Sequence, residues 1–206
     1  MPIITKLEPS KHIPGRYLVF FGNDLLKVTD NEVLSFSLYV GREVSPEELP
    51  QLRAAGQLNS AKAAAARMMS AKAMSRGTLI EKLITKGEDP AAAEAAADRL
   101  EELGVVNDAA YAAMVVRHYA GRGYGAKRME QELYRRKVPR ELWAQALTEA
   151  EDVTSTVDRL IQQRLRGREP DEKTLGRLQN FLLRRGFSWQ EVRDGLERYH
   201  RGEAAW

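Results

Sequence analysis

The sequence predicts a mainly α-helical chain: three tandem three-helix repeats in an elongated array, preceded by a small antiparallel β meander. Three observations lead there. A nine-residue helical pattern occurs three times, at Leu79–Gly87, Met129–Lys137 and Leu178–Gly186, about 50 residues apart when Leu83, Leu133 and Leu182 are aligned. Self-similarity at such a period marks units that stack on their neighbours. From Ser45 onward the residues favour helix and the linkers are short. Before Ser45 the pattern changes to period two between turn residues.

Taken in order, Ile3 to Leu7 suggests an edge strand and Arg16 to Phe21 a strand by composition. Gly22-Asn23-Asp24 is turn chemistry, Leu25 to Val28 resumes extended structure, and Thr29 to Glu32 reads as a second turn. Val33 to Val40 alternates, with Leu34, Phe36, Leu38 and Val40 on one face, and reads as a further strand. So small a sheet needs a helix to pack on. Ser45-Pro46-Glu47-Glu48 reads as a capping box with proline at the first helical position. Ala61 to Met74 is an Ala-rich helix, and Thr78 to Lys86 stops at Gly87. Asp89-Pro90 opens a helix that Leu103-Gly104 closes, and Asp108 caps Ala109 to about Ala120. Ala126 to Lys137 and Pro139 to Ala150 complete a second unit. Asp152 to Leu165, Asp171 to Arg185 and Ser188 to Arg201 form a third. The implied division is 1–44 for the meander and 45–106, 107–150 and 151–206 for the repeats.

The 206 residues contain no Cys, which excludes disulfides, thiolate catalysis and Cys-ligated metal sites. The longest early apolar run, Tyr17 to Phe21, is far short of a membrane span. A cytoplasmic protein is expected, with no membrane partner. The net charge of +3 is unevenly spread: Arg117 to Arg140 holds eight Lys or Arg against Glu130 and Glu132. A basic stripe of this kind can neutralise phosphates or meet an acidic protein face. In the second helix of unit two, Ala126, Met129 and Leu133 form the core stripe, with Lys127, Arg128, Arg135 and Arg136 mostly off it. In unit three Leu175, Leu178 and Leu182 repeat the stripe, with Lys173, Arg177, Arg184 and Arg185 around it. The pairs Arg135-Arg136 and Arg184-Arg185 thus fall in equivalent places, where unit one has Thr85-Lys86 and is electrically neutral.

Gly121-Arg122-Gly123-Tyr124-Gly125 follows a helix and lacks the Gly-Lys-Ser/Thr ending of a nucleotide loop. It reads as a flexible turn exposing Arg122 and Tyr124, a combination suited to phosphate and base stacking. His12, His118 and His200 have no partner at metal-ligand spacing, and no carboxylate pair has a base beside it. No metal, cofactor or catalytic residue is therefore expected. Trp143, Phe187 and Trp189 are assigned to core packing, and Trp206 to a mobile end.

The chain resembles the RecX family, bacterial regulators of the RecA recombinase. Ser75-Arg76-Gly77 with Leu79, Leu83, Lys86 and Gly87 is similar to that family's first repeat. Leu103 to Asp108 followed by Tyr111-Ala112 resembles its junction into the second. Gly123-Tyr124-Gly125, Arg128, Glu132-Leu133 and the basic pair resemble its most characteristic stretch, and Arg185-Gly186-Phe187 its third repeat. Lys137-Val138 departs from the pattern, which commonly has Gly before the hydrophobe, and puts the ending of that helix in question. The resemblance implies a curved array lying in the groove of a RecA–single-stranded-DNA filament. It implies inhibition of filament growth, ATP hydrolysis and strand exchange, in DNA repair, homologous recombination and the SOS response. The expected partners are the RecA filament, single-stranded DNA and double-stranded DNA, and the expected state a monomer. The candidate contact residues are Arg117, Arg122, Tyr124, Lys127, Arg128, Arg135, Arg136, Lys137, Lys173, Arg177, Arg184 and Arg185. The rival reading is a transcriptional regulator resembling helix-turn-helix modules, which the low net charge and the lack of a base-reading Asn/Gln/Arg cluster disfavour.

Overall fold

The computed structural model describes residues 1–150 and 152–203, so Trp206 lies outside the described residues. The chain divides into two compact units, Met1–Val106 and Asn107–Trp206. The architecture is mainly helical with one small antiparallel sheet.

In the first unit, β1 (Lys6–Pro9), β2 (Arg16–Phe21) and β3 (Asp24–Thr29) pair in sequence order. The register runs Lys6 to Phe20 and Arg16 to Thr29, and the β2–β3 loop is Gly22-Asn23. The edge strand starts later than expected, since Ile3 makes only an isolated bridge to Glu43. The stretch assigned as a strand from Val33 is not one. Thr29 and Glu32 form a capping box that starts α1 (Asp30–Ser35). The Glu32 carboxylate accepts from Thr29 N at 2.8 Å, from Thr29 Oγ1 at 2.7 Å and from Asn59 Nδ2. Saturated in this way, a buried carboxylate favours a helix start over a fourth strand. The expected apolar face is broken accordingly: Leu38 is buried while Leu34 is 76% exposed.

One long helix, α2 (Glu48–Ala71), joins both cores of this unit. Its start is half of the expected box: Ser45 Oγ accepts from Glu48 N at 3.1 Å, while Glu48 turns to Arg42 at 2.7 Å. Leu49 and Leu52 pack under the sheet with Ile4, Val19 and Val28. Further along, Ala61, Ala64 and Ala65 meet α3 (Arg76–Thr85) and α4 (Pro90–Glu102), whose Ala93, Ala96 and Ala97 are also buried. Small side chains on both helices let the α2 and α4 backbones approach closely.

The second unit holds α5 (Asp108–Ala120), α6 (Ala126–Arg135), a 3₁₀ turn (Arg140–Leu142) and α7 (Trp143–Leu147) around one core. A second core is built by α8 (Val153–Leu165), α9 (Glu172–Arg184) and α10 (Trp189–His200). The cap of α5 is Asn107, which accepts from Ala110 N, and not Asp108. The segment after Pro139 is a 3₁₀ turn plus a short helix, not one helix to Ala150. Phe187 is buried, Trp143 is half-buried with its indole N–H on Val138 O at 3.0 Å, and Trp189 is 55% exposed, outside the core assigned to it.

The repeated pattern has a common ending. After α3, α6 and α9 the chain passes through a positive φ at Gly87, Lys137 and Gly186. The next amide bonds five residues back: Glu88 to Leu83 O, Val138 to Leu133 O, Phe187 to Leu182 O. This is the Schellman closure, and it normally wants glycine. Lys137 takes the same conformation with φ 53°, so the departure from the family pattern leaves the helix ending intact. It costs about 1 kcal/mol of backbone strain.

Candidate functional site

The twelve candidate residues all lie in the second unit, on α5, α6, α9 and the turns after them. The structure separates them into side chains committed to the fold and side chains turned to solvent.

Glu132 decides the first group. It sits in the middle of α6 and is 2% exposed. Arg128 at i−4 reaches its Oε1 at 3.0 Å, Arg135 at i+3 reaches it at 3.3 Å, and Arg136 at i+4 pairs with Oε2. Burial pushes the Glu132 carboxyl up, but hydrogen bonds from Arg136 and Tyr119 and the nearby charges of Arg136 and Arg135 outweigh it, holding it below the usual carboxylate range. Arg136 also lies over the Tyr119 ring at 5.6 Å. It is the cap residue of α6, so its side chain folds back over its own last turn.

Arg185, the equivalent cap of α9, is spent differently. Its Nη1 donates to Arg122 O at 2.7 Å and Gly123 O at 2.9 Å, and its guanidinium lies near the Phe181 and Tyr124 rings at 4.7 and 5.1 Å. The Gly121–Gly125 turn is therefore pinned, and Tyr124 is half-buried against Tyr119 and not exposed as expected. Backbone bonds complete the junction: Gly125 N to Arg185 O at 2.9 Å and Lys127 N to Gly186 O at 3.1 Å. A Cβ on Gly125 would stand 2.5 Å from the Gly186 carbonyl, and one on Gly186 2.4 Å from Arg128 N. Two glycines 61 positions apart thus let the first turn of α6 touch the α9–α10 turn.

The aligned arginine pairs consequently split. Arg136 and Arg185 are half-buried and bonded within the unit, whereas Arg135, although within 3.3 Å of Glu132 Oε1, and Arg184 end their helices exposed. Arg117 is exposed but paired with Glu149 at 2.9 Å. Arg122, Lys127, Lys137, Lys173 and Arg177 are exposed. On α9 the exposed row is Lys173, Arg177, Asn180 and Arg184, at i, i+4, i+7 and i+11, one face of a helix with no acid in the row. On α6 it is Lys127, Gln131, Tyr134 and Arg135, with Tyr134 65% exposed. Gln131 and Tyr134 were missed in the sequence although the helical period places them beside Lys127 and Arg135; polar and aromatic residues carry no charge signal. Among the described residues no three His, Asp or Glu side chains cluster as metal ligands, and no helix is long and apolar enough to cross a membrane.

Comparison with known proteins fits this geometry to a family. Residues 107–147 match the family model described as RecX, second three-helix domain. A "Regulatory protein RecX" of Leptothrix cholodnii is 35% identical over 142 residues, spanning 66% of this chain and 87% of that protein. The chain belongs to the RecX family. Another RecX relative, from Xanthomonas axonopodis pv. citri, is 37% identical over 121 residues, 58% of this chain and 75% of its own. A crystal structure of regulatory protein RecX shares the fold with a TM-score of 0.67 at 21% identity, covering 94% of this chain and all of that one. RecX from Lactobacillus salivarius gives 0.65 at 17% identity over 70% and 97% of the two chains. The RecX model spans α5, α6 and the helix after them, the segment that carries Glu132 and its arginines.

Proposed function

We propose that the chain is a non-enzymatic regulator that binds the RecA–single-stranded-DNA filament and restrains filament growth, ATP hydrolysis and strand exchange. Membership of a family of regulatory proteins named RecX supports the class. The observation that carries the site is the pair of exposed rows on α6 and α9, which bear Lys127, Arg135, Lys173, Arg177 and Arg184. Cations along one face of each helix, interleaved with Gln131, Tyr134 and Asn180, suit a phosphate backbone or an acidic protein groove. Arg122 and Lys137, on the turns flanking α6, extend the same set. Segments 107–150 and 151–206 act in this reading as two copies of one contact unit, and the chain acts as a monomer in the cytoplasm.

The test is titration of the protein into preformed RecA filaments while ATP hydrolysis is followed. Arg135→Glu with Arg184→Glu should raise the concentration needed for half-inhibition at least tenfold and make the remaining binding less steeply dependent on salt, since fewer cations are engaged. Inhibition by the double variant at wild-type concentrations would refute the assignment. A sequence-specific shift of duplex DNA without RecA would favour the transcriptional reading instead.

A further inference from the structure

We infer that the first unit carries a second, separate binding site: a cationic hollow beside the end of α2 that takes an acidic peptide segment bearing an apolar side chain. Segment 59–106 has seven basic and seven acidic residues and looks neutral. The fold sorts them. Glu94, Asp98 and Glu101 gather on α4 around Arg76, and Glu102 pairs with Arg99. The opposite charges collect elsewhere.

Two adjoining hollows of about 540 and 460 Å³ share Met68, Ala71 and Lys86. Arg67 joins Lys86 at the rim of the first, and Lys72 and Lys82 at the rim of the second. All four cations are exposed, and none has an acidic partner among the described residues. Of the acids lining the hollows, Glu88 is already neutralised by Arg16 at 3.1 Å, which also donates to Ser60 Oγ at 2.5 Å. That buried cluster is a fixed floor tying β2 to the α3–α4 turn. The other acid, Glu81, lines the second hollow with Lys72, Lys82 and Lys86, away from Arg67.

The walls choose the ligand class. Met68 and Ala71 present flexible, polarizable and small apolar surface, the kind that adapts to varied side chains, above Met74, which belongs to the core. No aromatic ring lines either hollow, so nothing there stacks bases. The combined space suits a few peptide residues, with carboxylates meeting the rim and one apolar side chain resting on Met68 and Ala71. This site shares no residue with the rows on α6 and α9, and stands or falls independently of them.

The experiment uses the full chain and fluorescence anisotropy at low salt. The probe is a labelled ten-residue peptide of Asp and Glu with one Phe and one Leu. Its controls are the same peptide with Asn and Gln for the acids, and a ten-nucleotide single strand. Saturable binding of the acidic peptide is expected, with the neutral peptide at least tenfold weaker. Arg67→Glu with Lys86→Glu should weaken the acidic peptide about tenfold or more, and Lys72→Glu, on the other wall, should weaken it without touching the α3 cap. Thermal melting of each variant verifies folding. Equal affinity for both peptides, peptide affinity unchanged in both variants, or a loss confined to the oligonucleotide would each overturn the inference.

Discussion

Replacing Gly125 by Ala tests the junction of the second unit most sharply. Gly125 has φ −85° and ψ 171°, a conformation alanine adopts freely, so no backbone strain enters. The effect comes only from the added methyl, 2.5 Å from the Gly186 carbonyl carbon and oxygen and from Phe187 N. Relief requires the start of α6 to part from the α9–α10 turn by roughly 1 Å, since carbon atoms settle at about 3.5 Å. The bonds Gly125 N to Arg185 O and Lys127 N to Gly186 O would then exceed hydrogen-bond length. Two lost bonds at about 1 kcal/mol each, with overpacking of about 1–3 kcal/mol, predict a loss of about 3–5 kcal/mol. Urea unfolding and amide exchange of Lys127 measure it. Gly176→Ala is the matched control: a Cβ there meets nothing within 4 Å, mid-helix in α9, and should stabilise by about 0.5–1 kcal/mol. Wild-type midpoint and wild-type Lys127 protection in Gly125→Ala would refute the close approach.

Lys137→Gly should raise stability by about 1 kcal/mol, because the φ of 53° suits glycine; an unchanged or lower melting temperature would contradict the strained ending. Glu132 gives a pH signature. Its folded carboxyl is held down, so its stabilisation is complete above the unfolded value near pH 4.3 and is lost as pH falls through the lower folded value. Wild type should therefore lose more stability between about pH 5 and 3 than Glu132→Gln, which starts about 2 kcal/mol less stable at pH 7; parallel curves would remove the Arg136 cluster from the account. Arg185→Ala should cost about 2–3 kcal/mol through its two carbonyl bonds and ring contacts. Arg184→Ala should leave unfolding unchanged while weakening filament binding, a contrast read by melting and ATPase titration.

The repeat, the helix order and the sheet were legible because each rests on local signals: period, caps and turn residues. The misread strand shows where local signals conflict. Val33 to Val40 alternates, yet Thr29 and Glu32 start a helix there, and three donors on one carboxylate outweighed the alternation. The arginine pairs show a subtler limit. Both were visible as aligned charge, but what each second arginine meets is set by tertiary partners: Arg136 reaches Glu132, Arg185 reaches the carbonyls of Arg122 and Gly123, and Lys86, the equivalent cap of α3, stays exposed. Helix position alone therefore does not separate Arg136 and Arg185 from Arg135 and Arg184. The spacing of Arg128, Glu132 and Arg136 was equally readable as an i, i+4, i+8 ladder. Contact between Gly125 and Gly186 was not, since nothing near either residue names the other.

The junction has a consequence for how tightly anything can be held. With the first turn of α6 hydrogen-bonded to the α9–α10 turn, the rows on α6 and α9 keep a fixed mutual orientation. A ligand that has engaged one row meets the other without a linker to search through and without ordering entropy still to be lost. Individually weak contacts then combine nearly multiplicatively, and loosening the glycine contact would lower affinity even with every exposed cation still in place.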